Sequence, residues 1–279
     1  MNRSPSRKAA GSMPPDARRR FAVTSAEASS GSLRVGSDEW RERYLGGQSG
    51  AGIRIAVIDT GWARESHDHR VLPGCGFVES AEDRRIHQND DYDDRSGHGT
   101  YCSRVIMELA PAASIIPIRV FGSSLETSCA AVEVGLDEAM RRGARVINLS
   151  LGTRLREHAA SLYRACARAS ADGAIIVAAA HAKFGGFPAR FDNVIGVNGG
   201  VLNERFAYRY DSTAIVECRA NERHILPALR GLGTFTTSGS SNAAPVITGL
   251  TALIVQDSPR TSITEVRAWL AAHAQPPDK

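Results

Sequence analysis

The sequence predicts an α/β fold, a mostly parallel central sheet with helices on both faces in three layers. Three observations lead to it. Short apolar segments dense in Val, Ile and Ala recur at 53–58, 114–120, 144–149, 174–179 and 194–197, the pattern of strands buried on both faces. Helical stretches lie between them at 99–109, 129–142 and 157–172. Two of these stretches stop at a glycine, Gly143 and Gly173, that leads directly into the next strand, a usual helix stop. Strands alternating with helices of this length pair in parallel through crossovers.

In chain order, residues 1–36 are rich in Ser, Pro and Gly with little apolar periodicity and are expected to form a flexible extension. Residues 37–279 are expected to form one domain. A short helix is predicted over 37–45, where Trp40 and Tyr44 stand four apart on one face. Gly46, Gly47, Gly50 and Gly52 mark a turn before the first strand, which runs straight into Asp59-Thr60-Gly61. The last predicted helix, 246–255, follows Gly239-Ser240-Ser241-Asn242-Ala243-Ala244-Pro245.

Composition narrows the function. The 279 residues, 42% apolar and 23% charged, fit one α/β domain with a sizeable core. The formal net charge of +4 is too small to argue for nucleic acid, and Arg18, Arg19 and Arg20 carry much of the local excess. No stretch is long and apolar enough for a secretory leader or a membrane span. The five cysteines, Cys75, Cys102, Cys129, Cys166 and Cys218, are odd in number and in no metal-ligand spacing. They read as reduced thiols in a cytoplasmic protein.

Three residues stand where such sheets gather their chemistry, at the carboxyl ends of strands and the starts of helices. Taken singly, each has a plain reading: Asp59 as a turn former, His98 as a histidine in a glycine turn, Ser241 as a helix N-cap. Together, in the order acid, histidine, serine, they match the chain order of the subtilisin triad. Asp59-Thr60-Gly61 resembles the Asp-Thr/Ser-Gly motif of the subtilisin-like serine proteases. Asp94-Arg95-Ser96-Gly97-His98-Gly99-Thr100-Tyr101-Cys102 is similar to the histidine motif of the proteinase K branch, cysteine included. The segment Gly239 to Pro245 resembles the family's Gly-Thr-Ser-Met-Ala-Ala/Ser-Pro motif, and Val146-Ile147-Asn148-Leu149-Ser150-Leu151-Gly152 its substrate-binding strand.

The resemblance spans about 37–256. It implies a subtilisin-like fold and a serine endopeptidase without cofactor, acting on a peptide or protein. Ser241 would be the nucleophile, His98 the base and Asp59 the residue holding its tautomer, with Ser150, Leu151 and Gly152 lining the substrate cleft. The Ala-Ala-Pro register favours Ser241 over its neighbour Ser240. By analogy, a dedicated intracellular processing role fits such a protease.

The chain departs from the family in three places. The oxyanion asparagine expected after the strand at 174–179 is absent: the sequence reads Ala180-His181-Ala182. An ungapped alignment puts Ala182 there, and a shift of one puts His181, which can donate. In subtilisin, loss of that donor lowers turnover by roughly 10²–10³. The alternative function is therefore a catalytically weak or inactive subtilase-like protein that binds peptides in the same cleft. Second, Val216 to Asn221 stands where the family has an Ala-Pro-Gly turn. Third, no folding propeptide is recognisable in 1–36. The acidic run Asp90, Asp91, Asp93 and Asp94 is expected to be a solvated face. If it borders the cleft, it would favour basic substrate residues. It lacks the spacing of a calcium loop, so no metal is assigned.

Overall fold

The computed structural model describes residues 39, 42, 45–80, 82, 83, 85–122, 126–180, 185–224, 239–258 and 260–275. The expected extension, His181, Trp40 and Tyr44 lie outside them, while Glu39, Glu42 and Leu45 are helical. Nine strands form one sheet: β1 (Arg54–Asp59), β2 (Cys75–Glu79), β3 (Ile86–Asn89), β4 (Ser114–Arg119), β5 (Val146–Leu149), β6 (Ile175–Ala179), β7 (Ile195–Gly200), β8 (Tyr208–Tyr210) and β9 (Cys218–Asn221). Five fully described α-helices accompany them: α1 (His98–Leu109), α2 (Cys129–Arg141), α3 (Ala159–Ala171), α4 (Ser240–Val255) and α5 (Ile263–His273).

The sheet order is β3-β2-β4-β1-β5-β6-β7-β9-β8. All pairings are parallel except the edge pairs β2–β3 and β8–β9. Alternation along each strand sends side chains to opposite faces. Ile55, Val57, Val177 and Val197 pack beneath α1 and α4. Ala56, Ile58, Ile147 and Ile176 pack beneath α2 and α3. The mostly parallel three-layer fold is the one the sequence predicts.

Helix α4 is the spine of the first layer. Every residue from Asn242 to Val255 is buried, as befits a helix apolar on all sides. It carries Ser240 and Ser241 at its first turn, beside the carboxyl ends of β5, β6 and β7.

The elements not expected from the sequence are the edge pairs β2–β3 and β8–β9 and helix α5. Strand β3 is largely exposed, with only Ile86 partly buried, so no apolar run announces it. Strand β9 occupies the segment before the serine motif: Cys218 to Asn221 pair with Val197 to Gly200. What stands in place of the family turn is a sheet strand. Helix α5 had a readable signal, since Ser262 and Glu265 form a capping box, the Ser-x-x-Glu start signature.

Candidate active site

Strand β1 ends at Asp59, which is fully buried. Its Oδ1 lies 2.8 Å from His98 Nδ1 and accepts from the Thr60 backbone N–H at 2.7 Å. An ionised carboxylate can only accept, so Nδ1 carries the proton and Nε2 keeps its lone pair. Burial, the largest single influence, disfavours the charged imidazole, but Asp59 and Cys102 beside the ring together outweigh it and hold the His98 pKa well above the ordinary value.

His98 opens α1, and that helix start is drawn tightly against β1. Gly99 N–H donates to Thr60 Oγ1 at 2.8 Å. A Cβ on residue 99 would collide with the Gly61 carbonyl, so only glycine permits this approach.

Within the acidic run Asp90 is exposed, as a solvated face requires, but Asp94 is not. Asp94 is buried at 3% exposure and organises the histidine loop. It accepts from Thr60 Oγ1, Gly97 N and Thr100 N, each at 2.8 Å, and from Thr100 Oγ1 at 2.7 Å. Asp91 is taken up by Arg119 and Arg95. None of the four acids is among the described residues lining the cleft around His98. Asp94 is thus a scaffold for the loop rather than a substrate-facing charge.

Ser241 lies in that cleft with His98, Thr60, Ser150, Leu151 and Gly152, in a volume of about 880 Å³. The structure thus brings the expected acid, histidine, serine and substrate strand to one place. The lining also carries apolar Phe121, Val132, Leu155, Leu162 and Phe187 together with polar Glu126, Thr127, Ser128 and His158. Ser240, the alternative serine, accepts the Gly199 N–H at 3.0 Å and is tied to β7.

Two further groups were not legible in the motifs. Pro245 sits inside α4 and has no N–H for the carbonyl four residues earlier. That carbonyl belongs to Ser241, and Ser150 Oγ donates to it at 2.8 Å. Ser150 in turn accepts from Asn148 Nδ2 at 3.0 Å, whose Oδ1 accepts from Thr248 Oγ1 at 2.8 Å. This chain locks the substrate strand to the serine helix. Cys102 lies beneath the site, its Sγ 3.5 Å from Ser150 Oγ and 3.9 Å from His98 Nδ1. Burial pushes its thiol pKa up, keeping it a neutral filler.

Among the described residues, Asp59, His98 and Cys102 are the group whose ligand atoms lie close enough, within 4.8 Å, to hold a metal. They are the same atoms that orient the histidine, so a bound ion would occupy the base. No described helix is long and apolar enough to cross a membrane.

Residues 50–278 match the model of the subtilase family, Peptidase_S8. The chain is 30% identical over 244 residues to subtilisin DY of Bacillus licheniformis, covering 82% of this chain and 85% of that one. It is 29% identical over 236 residues to alkaline elastase YaB of Bacillus sp. (strain YaB), covering 80% of this chain but 60% of that one. Among solved structures, a cold adapted subtilisin-like serine proteinase superposes with a TM-score of 0.65 at 23% identity, over 81% of this chain and 83% of that one. A structure described as S41 psychrophilic protease also gives 0.65, at 24% identity, over 88% and 91%. On the family match and the subtilisin relative, with a subtilisin-like fold beneath them, the chain belongs to the subtilase family of serine proteases.

Proposed function

We propose that the protein is an endopeptidase that cleaves peptide bonds through Ser241, His98 and Asp59. The observation that carries this reading is the 2.8 Å contact between Asp59 and His98 Nδ1, in a cleft that also holds Ser241. His98 Nε2 takes the Ser241 hydroxyl proton as Oγ attacks the scissile carbonyl. The resulting oxyanion meets the Ser241 backbone N–H in the first turn of α4 and the positive end of the helix dipole. His98 then returns the proton to the departing amine. Water, activated by the same base, releases the acyl group and restores the serine. Backbone at Ser150, Leu151 and Gly152 pairs with the peptide as an added strand, and His181 supplies the missing oxyanion donor.

The setting we infer is a reducing cytoplasm, supported by five free cysteines in an odd count. An enzyme working there acts on a particular peptide or protein precursor rather than on bulk protein. Labelling with a fluorophosphonate tests the chemistry: modification of wild type and none of Ser241→Ala supports it. Peptide binding by folded protein that resists labelling favours the other reading, a peptide-binding relative of low activity, which the Ala180-His181-Ala182 sequence motivates.

A further inference from the structure

A second cavity, of about 560 Å³, shares Ser150, Leu151, Gly152 and Ser241 with the His98 cleft. Its remaining described walls are the carboxyl ends of β6, β7 and β9 and the start of α4. Two charged residues, Arg219 and Glu222, are among those lining it.

Glu222 is seated by the fold. Its backbone N–H bonds Gly200 O at 2.9 Å, continuing the β7–β9 ladder. Ala220, two residues earlier, packs beneath α4, and alternation sends Glu222 to that same side. Residue 199 is a glycine, which makes the space: a Cβ there would collide with Glu222 Oε2 and lie 3.0 Å from Ser240 N. The carboxylate therefore sits where β7 meets the start of α4, beside the backbone of the serine motif.

The Glu222 carboxylate has no ion pair or hydrogen bond among the described residues, and the residue is half-buried. A carboxylate in that position gains from a cation that displaces water from the cavity. Arg219 does not provide it. Its side chain runs over Gly200, which points to the opposite face from Gly199, and it is exposed.

We propose that Glu222 is a specificity-determining residue, pairing with a Lys or Arg side chain of the substrate at a position adjoining the scissile bond. This rests on Ser241 being the nucleophile, since that serine sets which substrate residue reaches the cavity.

The test compares fluorogenic peptides that differ only at the residues flanking the bond, carrying Arg, Gln, Glu or Leu. Wild type should prefer Arg to Gln, and Glu222→Gln should lower the ratio of their kcat/KM values by about tenfold, the loss of one hydrogen bond to a charged group. Damage to the fold would change both rates and leave the ratio intact. Cleavage of the Gln or Leu peptide without any advantage for Arg overturns the proposal while leaving the protease reading standing. So does a preference for Glu that Arg219→Gln removes. If wild type cleaves nothing and takes no fluorophosphonate, the protease reading fails. Equilibrium binding of the same peptides to Ser241→Ala then decides the pocket: tighter binding of Arg, lost in the double variant with Glu222→Gln, supports it, and equal binding overturns it.

Discussion

Ser150 Oγ donates to the carbonyl oxygen of Ser241 across 2.8 Å, joining the segment after β5, proposed to bind substrate, to the helix that carries the proposed nucleophile. The bond exists because Pro245 leaves that carbonyl without a helical donor. Strand and serine therefore keep one relative position, and substrate bound along the strand inherits it. Replacing Ser150 with Ala strands a part-buried carbonyl and removes the acceptor of Asn148. The expected destabilisation is about 1–3 kcal/mol, with a fall in kcat exceeding any rise in KM. Urea unfolding and steady-state kinetics on Ser150→Ala check both. Unchanged kcat would show that the strand and helix hold register without the bond.

The raised His98 pKa sets the pH profile. The base must be neutral to accept the serine proton, so kcat/KM should rise with pH along a limb whose midpoint lies above the ordinary histidine value of 6.5. Asp59→Asn should lower that midpoint and cut kcat by on the order of 10⁴ through loss of the correct tautomer. The stability effect has a fixed sign. The folded-state pKa is raised, so the Asp59–His98 pair stabilises fully below the unfolded pKa and loses its contribution as pH rises through the folded one. A kcat/KM limb centred at or below 6.5 would contradict the electrostatics of the site.

Asp94 is a positioning residue. Its carboxylate gathers Thr60, Gly97 and Thr100 around the His98 loop, fixing the ring where Asp59 can reach it. Asp94→Asn converts part of that acceptor into a donor facing other donors. We expect a loss of about 1.5–3 kcal/mol, the worth of a hydrogen bond to a charged group. We also expect a lower kcat at little change in KM, and a shifted His98 limb in the pH profile. A purely structural role would lower the melting temperature and leave the pH profile in place.

What the sequence disclosed follows from where each residue sits. Asp59, His98 and Ser241 each end a strand or open a helix within a motif, so order and local context were enough. Asp94 looked like one member of a solvated run, because the backbone N–H and threonine hydroxyl donors it accepts from are brought around it only by folding. Ser150 was legible as part of the substrate strand, but its tie to Ser241 required seeing that Pro245 stands four residues beyond the serine. Strands β2, β3, β8 and β9, with the sequences CGFVE, IHQN, YRY and CRAN, lack the continuous apolar run that marks the comparably short β5 and β6. Glu222 escaped notice because its position depends on Gly199, in another strand.

The oxyanion partner gives a fourth prediction. If His181 donates to the oxyanion, His181→Ala should lower kcat by roughly tenfold or more, toward the range found for one lost donor, and barely change stability. His181→Asn should restore part of the rate. A rate unaffected by His181→Ala would leave the backbone at the start of α4 as the sole support for the developing charge.

His224 provides a pH test independent of catalysis. It follows β9, is buried at 4% exposure, and its Nε2 donates to the Asn221 carbonyl at 2.8 Å. Its ring stacks on Phe206 with centroids 5.8 Å apart. Burial, aided by the nearby Arg205 cation, lowers its pKa from 6.5 to about 4. Between those values the unfolded chain binds the proton and the folded one does not, so stability should fall as the pH drops. A shift of that size corresponds to about 3 kcal/mol once both states are protonated. This sign is opposite to that of His98. His224→Gln keeps a donor toward Asn221 but cannot titrate, so its urea midpoint should decline less than that of wild type between pH 7 and pH 4. Equal declines would mean that another group carries the acid sensitivity and that His224 is solvated enough to protonate in the folded state.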